Sequence, residues 1–163
     1  MARRVFFSFH FENDYSRAVQ VRQIGSLEGN LELPADDWEA MKRKGAVARW
    51  IDGQFLGRSC AIVLVGARTA GRKWIDYEIK RAWQLEKGLV GIRIHRLPDS
   101  NGRPSAAGAN PFDGFSVDGR RLSSIVTLYD PPGSDSRAVC KSISDNIERL
   151  VESAISMRSN YGR

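Results

Sequence analysis

No apolar run in this chain approaches the ~20 residues a helix needs to cross a bilayer. The start, MARRVFFSFHF, places arginines before apolar residues, as a twin-arginine signal does. Its apolar run stops at His10, continues as FENDYSR and offers no cleavage site, so it reads as a strand and the protein as cytoplasmic. Cysteine is scarce. Cys60 and Cys140 are far apart, which excludes a disulfide framework and a metal-ligand spacing. Cys60, inside SCAIVLVG, reads as a small buried side chain. With only His10 and His95 as histidines, no metal site is expected. A basic run interleaved with aromatics is absent too, as is a helix-turn-helix pattern. The net charge is +6, but Arg3, Arg4, Arg17, Arg22, Arg49, Arg58, Arg68 and Arg72 are scattered. Nucleic acid is therefore not an expected partner, and an anionic small ligand fits the charge about as well.

What remains suits a single domain with a real core: 163 residues, 42% hydrophobic and 27% charged. Apolar runs at Val5–Phe9, Ala61–Val65 and Leu89–Ile94 predict buried strands, with a weaker fourth at Ser124–Leu128. Helical spacing marks Tyr15–Arg22, Trp38–Ile51, Arg72–Lys87 and Ser136–Met157. The alternation predicts an α/β domain, a doubly wound parallel sheet of flavodoxin-like type, centred on the first two runs. A short strand near Gln23–Ser26 is a further candidate. Pro98–Arg121 reads as a long irregular loop leaving the carboxyl edge of the sheet, where open α/β folds bind ligands.

Several sites of this architecture are missing. The central strand ends VLVGARTAG, without the Asp of a phosphoacceptor. The first turn, SFHFENDYS, has no glycine to admit a dinucleotide or flavin phosphate. GARTAGRKW spaces Gly66 and Gly71 as a P-loop does, yet Arg72 stands where Lys is needed and Lys73 where a hydroxyl would hold magnesium. No GxSxG elbow occurs.

One residue type is out of place. In RKWIDYEIKRAW, a helix of 3.6 residues per turn puts Trp74, Ile75, Ile79, Ala82 and Leu85 on one arc. Glu78 falls inside that arc, while Asp76, Lys80, Gln84 and Lys87 face the other way. A buried carboxylate needs a partner or a raised pKa. Two explanations stay open: a rim residue reaching water or pairing with Arg81 or Arg72, and a functional carboxylate. Glu86 also falls near the arc, so geometry alone does not single out Glu78.

Four stretches together resemble the TIR-like family that includes the TIR subunit of Thoeris antiphage defence. They are RVFFSFHFENDYSR, SCAIVLVGARTAGRKWIDYEIKRAW, GLVGIRIHRL and GANPFD, in family order over most of residues 3–113. The most specific part is Thr69, Lys73-Trp74 and Tyr77-Glu78-Ile79; from Phe115 on only the strand-then-helix pattern matches. The resemblance implies that Glu78 is the catalytic glutamate of an NAD hydrolase or ADP-ribosyl cyclase, with NAD as substrate and no cofactor. It implies a cleft lined by Ser8, Phe9, His10, Asp14, Trp74 and Asn110, and a diffusible, cyclic ADP-ribose-type signal read by a separate effector. It implies, too, that such domains often self-assemble to complete the cleft. Five of these also have a structural explanation: strand residues for Ser8 and Phe9, a turn for His10, a helix N-cap for Asp14, core for Trp74. The competing function is a TIR-like interaction module that does no chemistry, in which Glu78 would survive as a structural ion pair.

Overall fold

In the computed structural model, which describes residues 3–24, 27, 43 and 45–161, the chain alternates strands and helices in the predicted order. β1 (Val5–Ser8) leads into α1 (Phe11–Ile24), and α2 (Val47–Gln54) precedes β2 (Cys60–Val65). α3 (Lys73–Gln84) and β3 (Gly88–Arg93) follow. A 3-10 turn (Pro111–Gly114) precedes a small antiparallel hairpin, β4 (Ser116–Val117) and β5 (Arg120–Arg121). β6 (Leu128–Tyr129) and the long α4 (Ser136–Ser159) close the described chain.

The main sheet runs β1-β2-β3-β6, every pair parallel, with Phe7 opposite Ile62 and Ile62 opposite Val90. Side chains alternate across it, because successive strand residues point to opposite faces. Val5, Phe7, Cys60, Ile62, Leu64, Val90 and Ile92 join α1 and α4 on one face. Phe6, Ala61, Val63, Val65 and Leu89 join α2 and α3 on the other. The sheet is thus covered on both sides, which is why its strands read as unbroken apolar runs. Each fully buried aliphatic side chain adds roughly 1.5–3 kcal/mol of transfer free energy.

Several expectations shift. Among the described residues β2 and β3, not β1, lie at the centre of the sheet. α1 begins four residues before Tyr15, and Gln23 and Ile24 belong to its last turn, so no strand starts there; Gly25 and Ser26 lie outside the described residues. The expected single helix Trp38–Ile51 is interrupted: Arg43 is helical, the chain turns at Gly45 with φ 65°, and a separate helix runs from Val47 to Gln54, while Trp38 lies outside the described residues. The weak strand Ser124–Leu128 is instead a 3-10 turn (Leu122–Ser124) followed by two strand residues, Leu128 and Tyr129. α3 stops at Gln84 because Glu86 turns left-handed, with φ 59°. Glu86 N then donates to Trp83 O and Lys87 N to Ala82 O, a Schellman cap that sends the chain into β3. The irregular loop also has structure. Asp118 and Gly119, both at positive φ, turn the β4–β5 hairpin, a two-residue Asp-Gly signal visible in the sequence.

Candidate functional site

The site begins where β1 ends. Ser8 follows Phe6 in the pleat and so faces α3, almost wholly buried. α3 turns Ile75, Glu78, Ile79 and Ala82 inward and leaves Lys80 exposed. Glu78 is therefore a core-facing carboxylate, only 7% exposed. Burial pushes its pKa up from 4.5 to about 8, and the Ser8 hydroxyl pulls it back slightly. Among the described residues neither Glu78 Oε2 nor Ser8 Oγ meets hydrogen-bond geometry with a partner, although the Ser8 hydroxyl is near enough to favour the ionised carboxyl. The ion pairs open to Glu78 are not made. Arg81 Nε turns outward to Asp52 Oδ1 at 3.0 Å, joined there by Tyr77 Oη at 2.9 Å, and Arg72 Nε donates to Arg68 O at 3.2 Å. A shallow groove lined by Asp52, Tyr77, Lys80, Arg81 and Gln84 lies along that outer flank of α3, away from Glu78.

The other expected residues divide. His10 is half-buried beyond Ser8, with Nδ1 unpartnered; burial lowers its pKa, and the nearby Arg72 lowers it further. Asp14 is not an N-cap. It lies inside α1, 0% exposed, its Oδ1 accepting from Arg17 Nη1 at 2.8 Å and Asn13 Nδ2 at 3.1 Å. Its Oδ2 is unpartnered and lies against Gly66, where any Cβ would collide with it. Phe9 turns to the opposite face from Glu78, by the same alternation that points Ser8 inward, and its ring lies 6.2 Å from Phe11 and 6.5 Å from Tyr15. Trp74 packs on the α3 face of the core, edge-on to Tyr77 at 5.6 Å, with Lys73 Nζ 4.9 Å from its ring. Asn110 Oδ1 accepts from Phe112 N at 2.9 Å and caps the 3-10 turn. That turn seats Phe112, fully buried, in the cluster that holds Ile75 and Ile79. Ser8 and Glu78 are thus neighbours on the α3 face of the sheet, while His10 interacts with Arg72, Asp14, Glu12 and Arg68, and Phe9 and Asp14 lie on the α1 side.

The near-P-loop has a different use. Thr69 is fully buried, and its Oγ1 accepts from Gly66 N at 2.8 Å and donates to Leu64 O at 3.4 Å. The hydroxyl occupies the turn that a phosphate would need, so GARTAGRKW closes on itself and delivers the chain into α3.

A family model, Thoeris protein ThsB, TIR-like domain, matches residues 6–99, the span from β1 to just past β3. The chain belongs to the ThsB TIR-like family. A relative in this family, from Bacillus cereus (strain MSX-D12), is 33% identical over 133 residues, covering 75% of this chain and 69% of that protein. It is named "Putative cyclic ADP-D-ribose synthase ThsB1". The ThsB match takes in Ser8, His10, Asp14, Trp74 and Glu78 and stops before Asn110. Among the described residues, no helix is long and apolar enough to cross a membrane, and no three metal-ligating side chains cluster.

The structural roles of three residues around the site escaped the sequence. Thr69 carries no signal beyond its place in the family pattern. Phe112 sits alone in a polar loop, with no periodicity to mark it. Arg17 follows Asp14 at an i, i+3 spacing that is usually a surface pair and here is buried.

The raised pKa of Glu78 has a measurable consequence. Its folded pKa lies above the unfolded value, so the native state favours the protonated form. The stability tied to neutral Glu78 is full below pH ~4.5 and is lost as pH rises through about 8, on the order of 4–5 kcal/mol at most. Melting of wild type and Glu78→Gln should therefore coincide near pH 4.5 and diverge with rising pH, the Gln variant melting higher. Parallel curves up to pH 9 would contradict the burial.

Proposed function

We propose that this protein cleaves the nicotinamide–ribosyl bond of NAD and releases an ADP-ribose-type, cyclic product as a diffusible signal in antiphage defence. The observation that carries the proposal is Glu78: buried, without an ion pair among the described residues, and beside the Ser8 hydroxyl at the carboxyl edge of a parallel sheet. A structural ion pair, as the interaction-module alternative requires, has no support at this residue. The name of the Bacillus relative, a cyclic ADP-D-ribose synthase, points to the same chemistry.

The geometry suits the reaction. Nicotinamide is a cation in NAD, and its departure leaves positive charge on the ribose. A cation entering beside Glu78 reverses the desolvation penalty that keeps the carboxyl neutral, and the carboxyl ionises where the charge is needed. The carboxylate then faces the oxocarbenium-like centre, as in glycoside cleavage, and Ser8 can donate to its second oxygen. His10, half-buried just beyond β1 with Nδ1 unpartnered among the described residues, would hold a polar group of the ligand. Cyclisation requires only that a nucleophile of the same ligand reach the ribose carbon before water does. Self-assembly of subunits around the cleft and a separate effector that reads the product complete the proposal.

Purified protein incubated with NAD, with and without a lysate from phage-infected cells, tests this by mass analysis of products. Nicotinamide should appear in equal amount to an ADP-ribosyl product one water lighter than ADP-ribose. ADP-ribose alone would make the protein a hydrolase, and no nicotinamide under either condition would leave the interaction module.

A further inference from the structure

The segment after β3 crosses the sheet from one face to the other. It leaves β3 beside α1, where Leu97 is buried among the α1 and α4 residues. It crests over the end of β2, where Gly108 lies so close to Gly66 O and Ala67 O that a Cβ would collide with them. It ends on the α3 face, with Phe112 packed beside Ile75 and Ile79. This strap therefore spans the carboxyl end of β2 and reaches the face of α3 that carries Glu78.

Its near end is held by one side chain above all. Arg17, 2% exposed, donates from Nε to Leu97 O at 2.7 Å and from Nη2 to Arg103 O at 3.0 Å. Its Nη1 donates to Asp14 Oδ1 at 2.8 Å and to Asn13 O at 3.2 Å. Gln20, one turn along α1, adds a bond from Nε2 to Pro98 O at 2.8 Å. The crest has its own tie, Arg93 Nη1 to Gly108 O at 2.7 Å. Between these anchors, Asp99 to Arg103 closes on itself: Asp99 Oδ1 accepts from Asn101 N and Arg103 N. A buried guanidinium spends its fork on carbonyls only where those carbonyls must stay in one place, because each bond costs the side chain its freedom. Asp14 neutralises the charge and sits directly under Gly66, so one ion pair connects α1, the exit of β2 and the strap.

We propose that Arg17 is a positioning residue, which holds the strap over the sheet edge so that the cleft above Glu78 keeps the width its ligand needs. The consequence for NAD rests on the proposed activity; the anchoring itself does not. Arg17 touches no substrate and acts through Leu97, Arg103 and, by way of the strap, Gly108.

Arg17→Lys keeps the charge beside Asp14 and removes the fork. Hydrogen exchange followed by mass spectrometry should then speed up by about tenfold in peptides covering 97–108, as two charge-assisted bonds are lost, with peptides of β2 and β3 unchanged. The KM for NAD should rise about fivefold or more while kcat per folded molecule holds within about twofold. Gln20→Ala, which leaves the Asp14–Arg17 pair intact, should move both readouts in the same direction by less, and it decides the matter if Arg17→Lys does not fold. Exchange in 97–108 equal to wild type in both variants would overturn the anchoring. Faster exchange with unchanged KM, or a kcat that falls merely with the folded fraction, would overturn the positioning role. A wild type that never consumes NAD would overturn the proposed activity instead, and the exchange arm would still decide whether Arg17 holds the strap.

Discussion

NAD turnover falls by about 10²-fold or more in Glu78→Gln, roughly 3 kcal/mol of barrier, while the protein folds and melts at or above the wild-type temperature. Gln keeps the shape and removes the charge that meets the developing cation. The stability half of the prediction comes from the surroundings of Glu78. Among the described residues its carboxyl has no cation to lose, and burial already opposes its ionisation. Replacing a carboxyl held against its own solvation relieves a cost, which is the usual relation between an active site and the fold that carries it. The measurements are product formation under activating conditions and the melting temperature of both proteins. A variant that melts well below wild type yet turns over NAD at full rate would exclude Glu78 from catalysis.

Asp14→Ala produces the largest loss of stability, about 3–5 kcal/mol, because it strands the guanidinium of Arg17 without a counter-charge in the interior. For a chain of this size that is a fall in melting temperature of about 6–20 °C. Arg17 is itself a buried cation with four bonds to make, and three of its acceptors are main-chain carbonyls that stay in place. They cannot supply the missing charge. The double substitution Asp14→Ala with Arg17→Met should recover part of the loss, since no buried charge remains. Additive losses in the double variant, measured by denaturant unfolding, would show that the pair is not coupled.

How much of this was legible beforehand follows from the range of the interactions involved. Strands and helices here are decided by local periodicity. Short unbroken apolar runs bounded by turn residues and separated by helical patterns read as strands covered on both faces, and the 3.6-residue spacing in RKWIDYEIKRAW is enough to turn Glu78 inward and Lys80 outward. That phase argument needs no partner, so the sequence alone determined it, and with it the architecture and the family pattern around Thr69, Trp74 and Glu78. Partners are a different matter. Whether Glu78 would meet Arg81 or Arg72 depended on Asp52, more than 20 residues away, which takes Arg81 for itself. Asp14 looked like an N-cap because Phe11–Asn13 carry no strong helix signal. Packing against the sheet extends α1 through them, and tertiary burial outweighs weak propensity. Ser8 and Phe9 are neighbours in sequence and end on opposite faces, a separation that one residue of strand register decides. The strap was a loop by composition. It became a span over the end of β2 only through carbonyls presented to Arg17 across some 80 residues of chain, and main-chain carbonyls have no identity a sequence can display.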